Sequence, residues 1–196
     1  MASSGKPAIF LDKDGTLIPD LPYNVDPGRI TLNPGVPQAL ALLAPLERPL
    51  VVVSNQSGVA RGLFCEAALQ GVRLRLAELF ATCGATLAGF YYCPHHPEGT
   101  VSAYTRHCAC RKPAPGLLLQ AATELNLSLE HSWMVGNTTA DVAAGLAAGC
   151  CSILMTSAVH TWHSPDVHAH YYRAPDMMTA AGCITATLSS RPLADH

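Results

Sequence analysis

The chain has 196 residues, of which 49% are hydrophobic and 13% are charged, and its formal net charge is -2. A chain of this length can bury a sizeable core, so we expect residues 1–196 to form one domain. The composition excludes a disordered chain, and the charge provides no general attraction to nucleic acid or to an anionic membrane. Any partner must therefore be inferred from local sites.

Strand-like and helix-like segments alternate along the chain. Five short apolar runs that end in polar residues are predicted as strands: 8–12, 49–55, 87–93, 132–137 and 151–156. Five further segments are predicted as helices: 34–46, 65–84, 114–126, 139–149 and 176–188. This alternation is typical of an α/β fold, and we expect a three-layer αβα sandwich with a mainly parallel, Rossmann-like sheet.

The sequence shows neither a signal peptide nor an apolar run long enough to span a membrane. We therefore expect a cytoplasmic monomer with no membrane partner and no nucleic-acid partner. In the cytoplasm its eight cysteines would be reduced. Some of the cysteines are then expected to bind a metal and the others to pack as small hydrophobic residues.

Polar side chains follow three of the predicted strands and would meet at one edge of the sheet. They are Asp12, Asp14, Ser54, Asn55, Asn137 and Asp141, joined by Arg111 and Lys112 from the loop at 94–115. In an open parallel sheet this edge binds ligands. Carboxylates, a hydroxyl, cationic groups and further oxygen ligands are what a Mg²⁺-dependent phosphoryl-transfer site needs.

The DKDG motif at 12–15 supplies the reacting groups of such a site. Asp12 would attack phosphorus to form an aspartyl-phosphate, and Asp14 would protonate the leaving alcohol and then activate water. Taken alone, DKDG also fits a plain polar turn, because Asp and Gly are common turn residues. The polar ends of the other strands favour the catalytic interpretation.

Two cysteine motifs, CPH at 93–95 and CAC at 108–110, flank an irregular loop. Three thiolates and an imidazole suit tetrahedral Zn²⁺, and a site filled entirely by protein ligands would be structural. The metal would hold the zinc loop, residues 93–110, so that Arg111 and Lys112 stay at the active site. A disulfide and free reduced thiols are the alternatives.

The segment FLDKDGTL at 10–17 resembles the first motif of the haloacid dehalogenase (HAD) superfamily of phosphohydrolases. Ser54, Lys112 and the segment VGNTTAD at 135–141 match its later motifs in order. Three further segments, SNQSGVARGLF, YYCPHHPEG and CACRKPAPG, are similar to the capless D-glycero-D-manno-heptose 1,7-bisphosphate 7-phosphatase family, which is related to histidinol-phosphate phosphatases. The resemblance spans about residues 8–149 and fades beyond Ser157.

The resemblance implies residue roles. Ser54 would bind the phosphoryl oxygens and Lys112 would neutralise charge in the transition state. The substrate would contact Asp20, Tyr23, Asn55, Gln56, Ser57 and Arg111. Mg²⁺ would be held by Asp12, Asp14 and Asn137, with Asp141 as an alternative source of charge. Zn²⁺ would be held by Cys93, His95, Cys108 and Cys110, and the choice of His95 over His96 and His107 comes from the family match alone.

The resemblance therefore implies a Mg²⁺-dependent phosphatase for a small phosphorylated sugar, with the 7-phosphate of heptose 1,7-bisphosphate as the first candidate. Asn137 stands where the superfamily usually has an acidic ligand, and Thr138 where the heptose enzymes often have a lysine. Histidinol phosphate or another sugar phosphate stays open as substrate, and so does a catalytically weakened protein that binds phosphorylated ligands.

The remaining cysteines are expected to pack in the core: Cys65, Cys83, Cys150, Cys151 and Cys183. A later group of histidines lies in a proline-containing segment without cysteine, where we expect a loop rather than a second metal site: His160, His163, His168 and His170.

Overall fold

The computed structural model describes residues 5–156 and 171–189. Within them, six strands form one sheet: β1 (Lys6–Leu11), β2 (Leu50–Asn55), β3 (Leu87–Cys93), β4 (Leu127–Gly136), β5 (Cys151–Met155) and β6 (Tyr172–Ala174). The α-helices of the same residues are α1 (Val36–Leu43), α2 (Ala68–Thr82), α3 (Gly116–Leu125), α4 (Thr139–Ala147) and α5 (Met177–Ser189). All the predicted strands and helices are present.

The strand order is β3-β2-β1-β4-β5-β6, and every pairing between these described strands is parallel. In the central strand β1, Phe10 lies opposite Val51 of β2 and Met134 of β4. The chain first extends the sheet through β2 and β3, and then crosses to the other side of β1 for β4. The strand order therefore reverses beside β1, which places a ligand crevice at the carboxyl ends of β1 and β4.

Helices cover both faces of the sheet, as the predicted three-layer sandwich requires. Side chains alternate between the two faces along a strand, so neighbouring residues of β1 enter different cores. Ile9 packs on the side of α1, α2 and α5, whereas Phe10 packs on the side of α3 and α4. Both side chains are fully buried. The two cores fix β1 and hence the position of the residues that follow it.

Strand β4 begins five residues before its predicted start. Its first residues pair with Lys6 and Pro7, and the register then shifts before Ile9 pairs with Trp133. The extra residues form a bulge, and Oγ of Ser132 within it accepts the backbone N–H of Ala8 at 2.8 Å. The polar residues of this bulge hid the start of the strand in the sequence.

The other corrections concern short or isolated features. Strand β6 has three residues and is not among the five predicted strands. Cys150 and Cys183 are buried as expected and Cys83 and Cys151 are half-buried, but Cys65 is exposed, so its predicted core role is wrong. The four later histidines lie outside the described residues.

Among the helices of the described part, none combines the length and the apolar character needed to cross a membrane.

Candidate active site and zinc site

A buried ion-pair network lies at the carboxyl end of β1. Asp12 directly follows β1, and its Oδ1 accepts a hydrogen bond from Nζ of Lys112 at 2.6 Å. The same ammonium group lies 2.6 Å from Oδ1 of Asp141 and donates to the carbonyl oxygen of Val53 at 2.9 Å. All three charged side chains are buried. The fold thus places Lys112 between two carboxylates that lie far from it in sequence.

Burial and charge together set the protonation of this network. Desolvation raises the pKa of Asp12 to about 6, because the attraction of Lys112 offsets only part of the burial effect and the Asp141 carboxylate adds to it. Burial acts to lower the pKa of Lys112, but the carboxylates of Asp12 and Asp141 outweigh it, so the pKa of Lys112 is raised. Lys112 therefore stays cationic at neutral pH.

Asp14 is held by two donors, one on each carboxylate oxygen. Its Oδ1 lies 2.7 Å from Nζ of Lys13, and its Oδ2 accepts from Nε2 of Gln56 at 3.1 Å. Nε2 of Gln56 also donates to Oγ of Ser54 at 2.7 Å. Gln56 thus connects the predicted phosphate-binding hydroxyl to the predicted general acid. The buried Lys13, which sequence analysis did not single out, orients that acid.

Oxygen atoms that suit Mg²⁺ converge beside the ends of β1 and β4. Oγ1 of Thr16 lies 3.2 Å from Oδ2 of Asp12 and 3.2 Å from Oδ1 of Asn137. Gly15 has a φ of +78°, and a Cβ at this position would overlap the amide of Asn137. Only glycine therefore fits both the backbone conformation of the turn and the space beside Asn137. Hard cations prefer carboxylate and amide oxygens. Asp12 and Asn137 bring such oxygens together at Thr16, and Asp14, the third predicted ligand, lines a cavity together with both of them.

Asn55, the last residue of β2, holds the main chain of Lys112. Its Nδ2 donates to the carbonyl oxygen of Lys112, and its Oδ1 accepts the Lys112 N–H, both at 3.1 Å. This pair of hydrogen bonds ties the end of the long loop to the sheet. Asn55 therefore positions Lys112, the predicted catalytic lysine, in addition to its own predicted place at the substrate.

Two cavities adjoin the network and share Asp14, Asp20 and Asn55 as lining residues. The smaller one, of about 190 Å³, is lined by Asp12 and Lys112 and contains the predicted reacting groups. The larger one has a volume of about 340 Å³. Its lining includes five of the six predicted substrate residues: Asp20, Tyr23, Asn55, Gln56 and Ser57.

Arg111 is the exception among the predicted substrate residues, because it lines neither cavity. Its Nη1 donates to the carbonyl oxygen of His95 at 3.4 Å, within the zinc loop.

Tyr23 is unusual in its backbone, with a φ of +56°, and its side chain is 48% exposed. A left-handed conformation is costly for a residue with a Cβ and often marks a functional position.

The predicted zinc ligands form a compact cluster. The donor atoms of Cys93, His95, Cys108 and Cys110 all lie within 4.8 Å of one another. The Sγ atoms are separated by 3.0 Å, 3.3 Å and 3.5 Å. A zinc ion about 2.3 Å from each sulfur needs sulfur–sulfur distances of roughly 3.8 Å, so a small expansion would admit the metal. The donor set and its size fit a structural zinc site.

The structure distinguishes the histidines near these cysteines. Nδ1 of His95 faces the sulfur atoms of Cys110 and Cys93 at 3.3 Å and 3.7 Å. The ring of His96 lies instead against Arg61, with 3.3 Å between His96 Nε2 and Arg61 Nη2. All eight cysteines are free thiols, so the disulfide alternative is not formed.

Comparisons with known proteins agree with this site. The Hydrolase_like family, described as HAD-hydrolase-like, matches residues 109–180. A D-glycero-beta-D-manno-heptose-1,7-bisphosphate 7-phosphatase of Yersinia pestis is 44% identical over 142 residues, which cover 72% of this chain and 76% of that protein. The chain belongs to this phosphatase family. The Escherichia coli K12 member of the heptose bisphosphate phosphatases is 42% identical over 142 residues, covering 72% of this chain and 74% of its own length.

Solved structures place the chain in the same family. A HAD-like phosphatase from Mesorhizobium loti superposes with a TM-score of 0.81 at 31% identity, covering 96% of this chain and 90% of that one. A D,D-heptose 1,7-bisphosphate phosphatase from B. bronchiseptica, complexed with magnesium and phosphate, gives a TM-score of 0.76 at 28% identity and covers 92% of this chain and 99% of its own. The predicted HAD fold and phosphatase class are confirmed. That related enzyme binds magnesium, and the thiol–imidazole cluster of this chain has the donor atoms to hold a metal ion, as the zinc prediction requires.

Asp141 has a role in this phosphatase site that the sequence did not reveal. It was predicted as an alternative source of charge for Mg²⁺, yet its Oδ1 pairs with Lys112. Its Oδ2 accepts from N and Oγ1 of Thr138 at 3.0 Å and 2.7 Å, and Oγ1 of Thr138 accepts the Asp141 N–H in return. These contacts complete a capping box at the start of α4. The TTAD segment indicates the capping box, but nothing in the sequence indicates the ion pair between Asp141 and Lys112.

Asp141→Asn is expected to lower kcat at least about tenfold and the free energy of unfolding by about 3 kcal/mol, because the buried ammonium of Lys112 loses one of two carboxylates. Steady-state kinetics and denaturant unfolding measure the two effects. The matched control is Asp176→Asn at the start of α5, where exposed Oδ1 accepts the N–H of Thr179 at 2.7 Å without pairing to a cation among the described residues. Similar losses in both variants would show that Asp141 acts only as a cap.

Proposed function

We propose that this phosphatase removes the 7-phosphate of D-glycero-beta-D-manno-heptose 1,7-bisphosphate, the substrate in the names of relatives that are 44% and 42% identical to it. The observation that carries the proposal is Lys112 held between Asp12 and Asp141 beside a polar cavity of about 340 Å³. The polar lining suits the hydroxyl groups of a sugar. It is provided by Asp20, Asn24, Asn55, Gln56 and Ser57.

In the proposed reaction Asp12 is the nucleophile. A carboxylate oxygen of Asp12 forms a bond to phosphorus while the bond between phosphorus and the sugar oxygen breaks. Lys112 compensates the negative charge that develops on the phosphoryl oxygens. Because Oγ of Ser54 accepts its hydrogen bond from Gln56, its own proton is free to bind a phosphoryl oxygen.

Asp14 handles the protons in both halves of the reaction. It gives its proton to the departing sugar oxygen and then takes one from the water that hydrolyses the aspartyl-phosphate. Lys13 and Gln56 hold one carboxylate oxygen each, so the orientation of Asp14 is set before the substrate binds. The protein thus returns to its starting protonation state after phosphate is released.

Mg²⁺, when bound, supplies positive charge to the phosphoryl group and to the aspartates. We propose Asp12, Asp14 and Asn137 as its protein ligands, because all three line the smaller cavity and oxygens of Asp12 and Asn137 both lie 3.2 Å from Oγ1 of Thr16. Both carboxylate oxygens of Asp141 are engaged by Lys112 and Thr138, which favours a supporting role over direct ligation. The metal site then contains one negative charge fewer than a site with aspartate at 137.

Asn137→Asp is accordingly expected to lower the Mg²⁺ concentration at half-maximal activity by about tenfold or more, judged from the roughly 10- to 100-fold effects of metal-site changes. Titration of phosphate release with Mg²⁺ measures this. The control is Asn126→Asp, which adds the same charge at an exposed position after α3. An unchanged half-saturation in Asn137→Asp would reject the idea of a weakened metal site.

Asn137 and Thr138 also support a second candidate, a catalytically weakened protein that binds phosphorylated ligands. A panel of both heptose bisphosphate anomers, fructose 1,6-bisphosphate and histidinol phosphate separates the candidates through kcat/KM for phosphate release. We expect the beta anomer of the heptose to exceed the others at least about tenfold. Equally slow hydrolysis of all four would reject the heptose assignment, and no hydrolysis at all would favour the binding protein.

We further propose that the protein acts as a monomer in the cytoplasm. The large exposed apolar side chains of the described residues belong to different elements and include Leu74 of α2, Leu119 of α3 and Met178 of α5. Single exposed apolar side chains on separate elements are normal for a monomer. Light scattering of the purified protein measures the oligomeric state.

A further inference from the structure

A phenylalanine forms one wall of the larger cavity. Phe64 lies in the segment between β2 and α2 and lines this cavity together with Gly58. Phe64 and Tyr23 are the aromatic residues of the described lining. Tyr23 is 48% exposed, whereas Phe64 is half-buried and packs against the core on the side of α1 and α2. Phe64 is therefore the firmly held aromatic wall of a cavity that is otherwise lined mainly by polar groups.

The absence of a side chain at Gly58 sets the position of the Phe64 ring. A Cβ at position 58 would overlap Cε1 and Cζ of Phe64, so the edge of the ring lies directly against the Gly58 backbone. The segment closes on itself at the same place, because the N–H of Leu63 donates to the carbonyl oxygen of Gly58 at 2.9 Å. The ring is thus held at the cavity wall by the fold of its own segment, before any substrate binds.

Core packing alone does not account for the place of Phe64. The residue also lines a second cavity of about 310 Å³, which it shares with Val101 and Tyr104 of the zinc loop. A phenylalanine that only filled the core would be enclosed by other side chains, because protein interiors are close-packed. Phe64 instead adjoins two cavities. An aromatic side chain in this situation offers apolar surface to a bound small molecule.

The chemistry of a sugar requires both kinds of lining in the larger cavity. The hydroxyl groups of a sugar need hydrogen-bond partners, and Asp20, Asn24 and Ser57 provide them. The carbon chain carries C–H groups, whose slightly positive hydrogens fit the negative face of an aromatic ring. A ring that is already held in place removes this C–H surface from water with little loss of side-chain freedom. Phe64 therefore supplies a contact to the carbon chain that the polar residues do not.

We propose that Phe64 is a specificity-determining residue that stacks on the C–H groups of the sugar while the phosphate to be cleaved lies at Asp12. The inference rests on the proposed function and deepens it, because it needs a sugar phosphate as substrate. Phe64 contributes to binding of the sugar and takes no part in bond breaking. It favours phosphate esters of sugars over phosphate compounds that lack a carbon chain of this size.

The test compares kcat/KM for heptose 1,7-bisphosphate and for acetyl phosphate, which uses the reacting groups but has no sugar. In Phe64→Leu, which keeps an apolar side chain against the core, the value for the heptose is expected to fall about threefold to thirtyfold through a higher KM, because the flat apolar contact is lost. The value for acetyl phosphate should stay unchanged. Phe64→Tyr keeps the ring and should retain most of the wild-type preference for the heptose.

The matched control is Leu63→Ala. Leu63 is the neighbour of Phe64 in sequence, but it is 56% exposed and is not among the lining residues of either cavity. This variant should leave both values unchanged. Equal losses for both substrates in Phe64→Leu would overturn the inference, because the ring would then only support its own segment. A loss of preference in Phe64→Tyr as large as in Phe64→Leu would overturn it as well.

Calorimetric binding to the zinc-loaded Asp12→Asn protein provides a measurement that is independent of turnover. When Phe64→Leu is added, the Kd of heptose 1,7-bisphosphate is expected to rise by a similar factor, while the Kd of inorganic phosphate stays unchanged. If the wild-type protein does not hydrolyse the bisphosphate, the proposed function fails, and binding still decides the role of Phe64. A rise in Kd for the sugar phosphate alone supports the inference, whereas an equal rise for both ligands, an unchanged Kd or no binding of the sugar phosphate overturns it.

Discussion

Replacing Asp12 with asparagine is expected to abolish phosphate release, with a fall in kcat of at least about a thousandfold, as for other enzymes that lose their nucleophile. An amide oxygen does not attack phosphorus, and the variant also removes the charge that faces Lys112 at 2.6 Å. No phosphoaspartate should form when the protein is mixed with substrate and quenched. Rapid quench followed by peptide mapping, or a beryllium fluoride adduct, locates the reacting residue.

Asp14→Asn gives the contrasting pattern. It should slow both the formation and the hydrolysis of the aspartyl-phosphate, because the group that moves the protons is lost while the nucleophile remains. Asp26→Asn is the matched control, since Asp26 is exposed and its Oδ1 accepts only the N–H of Gly28 at 2.9 Å among the bonds described. A phosphoryl or beryllium fluoride adduct on any residue other than Asp12 would refute the assigned roles.

Removing the zinc is expected to have the largest effect on stability. The purified protein should retain about one Zn²⁺ per chain after dialysis, and chelation or Cys108→Ser should lower the free energy of unfolding by several kcal/mol, since structural zinc contributes roughly 10 kcal/mol in small zinc peptides. Even a loss of about 3 kcal/mol would lower the melting temperature by roughly 6–12 °C in a chain of this size. Differential scanning calorimetry with metal analysis measures both quantities.

The zinc prediction has a control and a pH dependence. Cys65→Ser changes an exposed thiol outside the cluster and should leave both zinc content and melting temperature unchanged. Burial raises the pKa of the Cys93 thiol in the metal-free protein, so zinc must displace its proton. Protons compete better at low pH, and zinc retention should therefore fall as the pH is lowered. A fully active preparation without zinc would contradict the structural role of the metal.

The fold could be predicted from the sequence because the patterns that indicate the strands and helices are local. Apolar runs that end in Asp12, Asn55 and Asn137 marked strands, and parallel strands bring such ends together. The two cysteine motifs likewise indicated the zinc ligands through their local residue pattern. The predicted boundaries were wrong at β4, where a bulge with Ser132 interrupts the apolar pattern without ending the strand.

Contacts between residues that are far apart along the chain could not be predicted from the sequence. The pairing of Lys112 with Asp141 and the pairing of Arg61 with His96 both join segments that are separated along the chain. Residue types alone do not show which charged groups meet. Asn55 and Gln56 were predicted to face substrate, and the structure adds that they hold Lys112 and Asp14 in place.

The double engagement of Asp141 has an evolutionary consequence. One oxygen closes the first turn of α4 and the other faces Lys112, so a single side chain serves both the folding of a helix and the chemistry of the site. A substitution at position 141 cannot keep the cap of α4 while losing the contact with Lys112, or the reverse, because every substitution disturbs both. Asn137, the proposed metal ligand, keeps its role with any side chain that offers an oxygen at the same place. Saturation mutagenesis under selection for activity should therefore recover asparagine and aspartate at 137 but aspartate alone at 141.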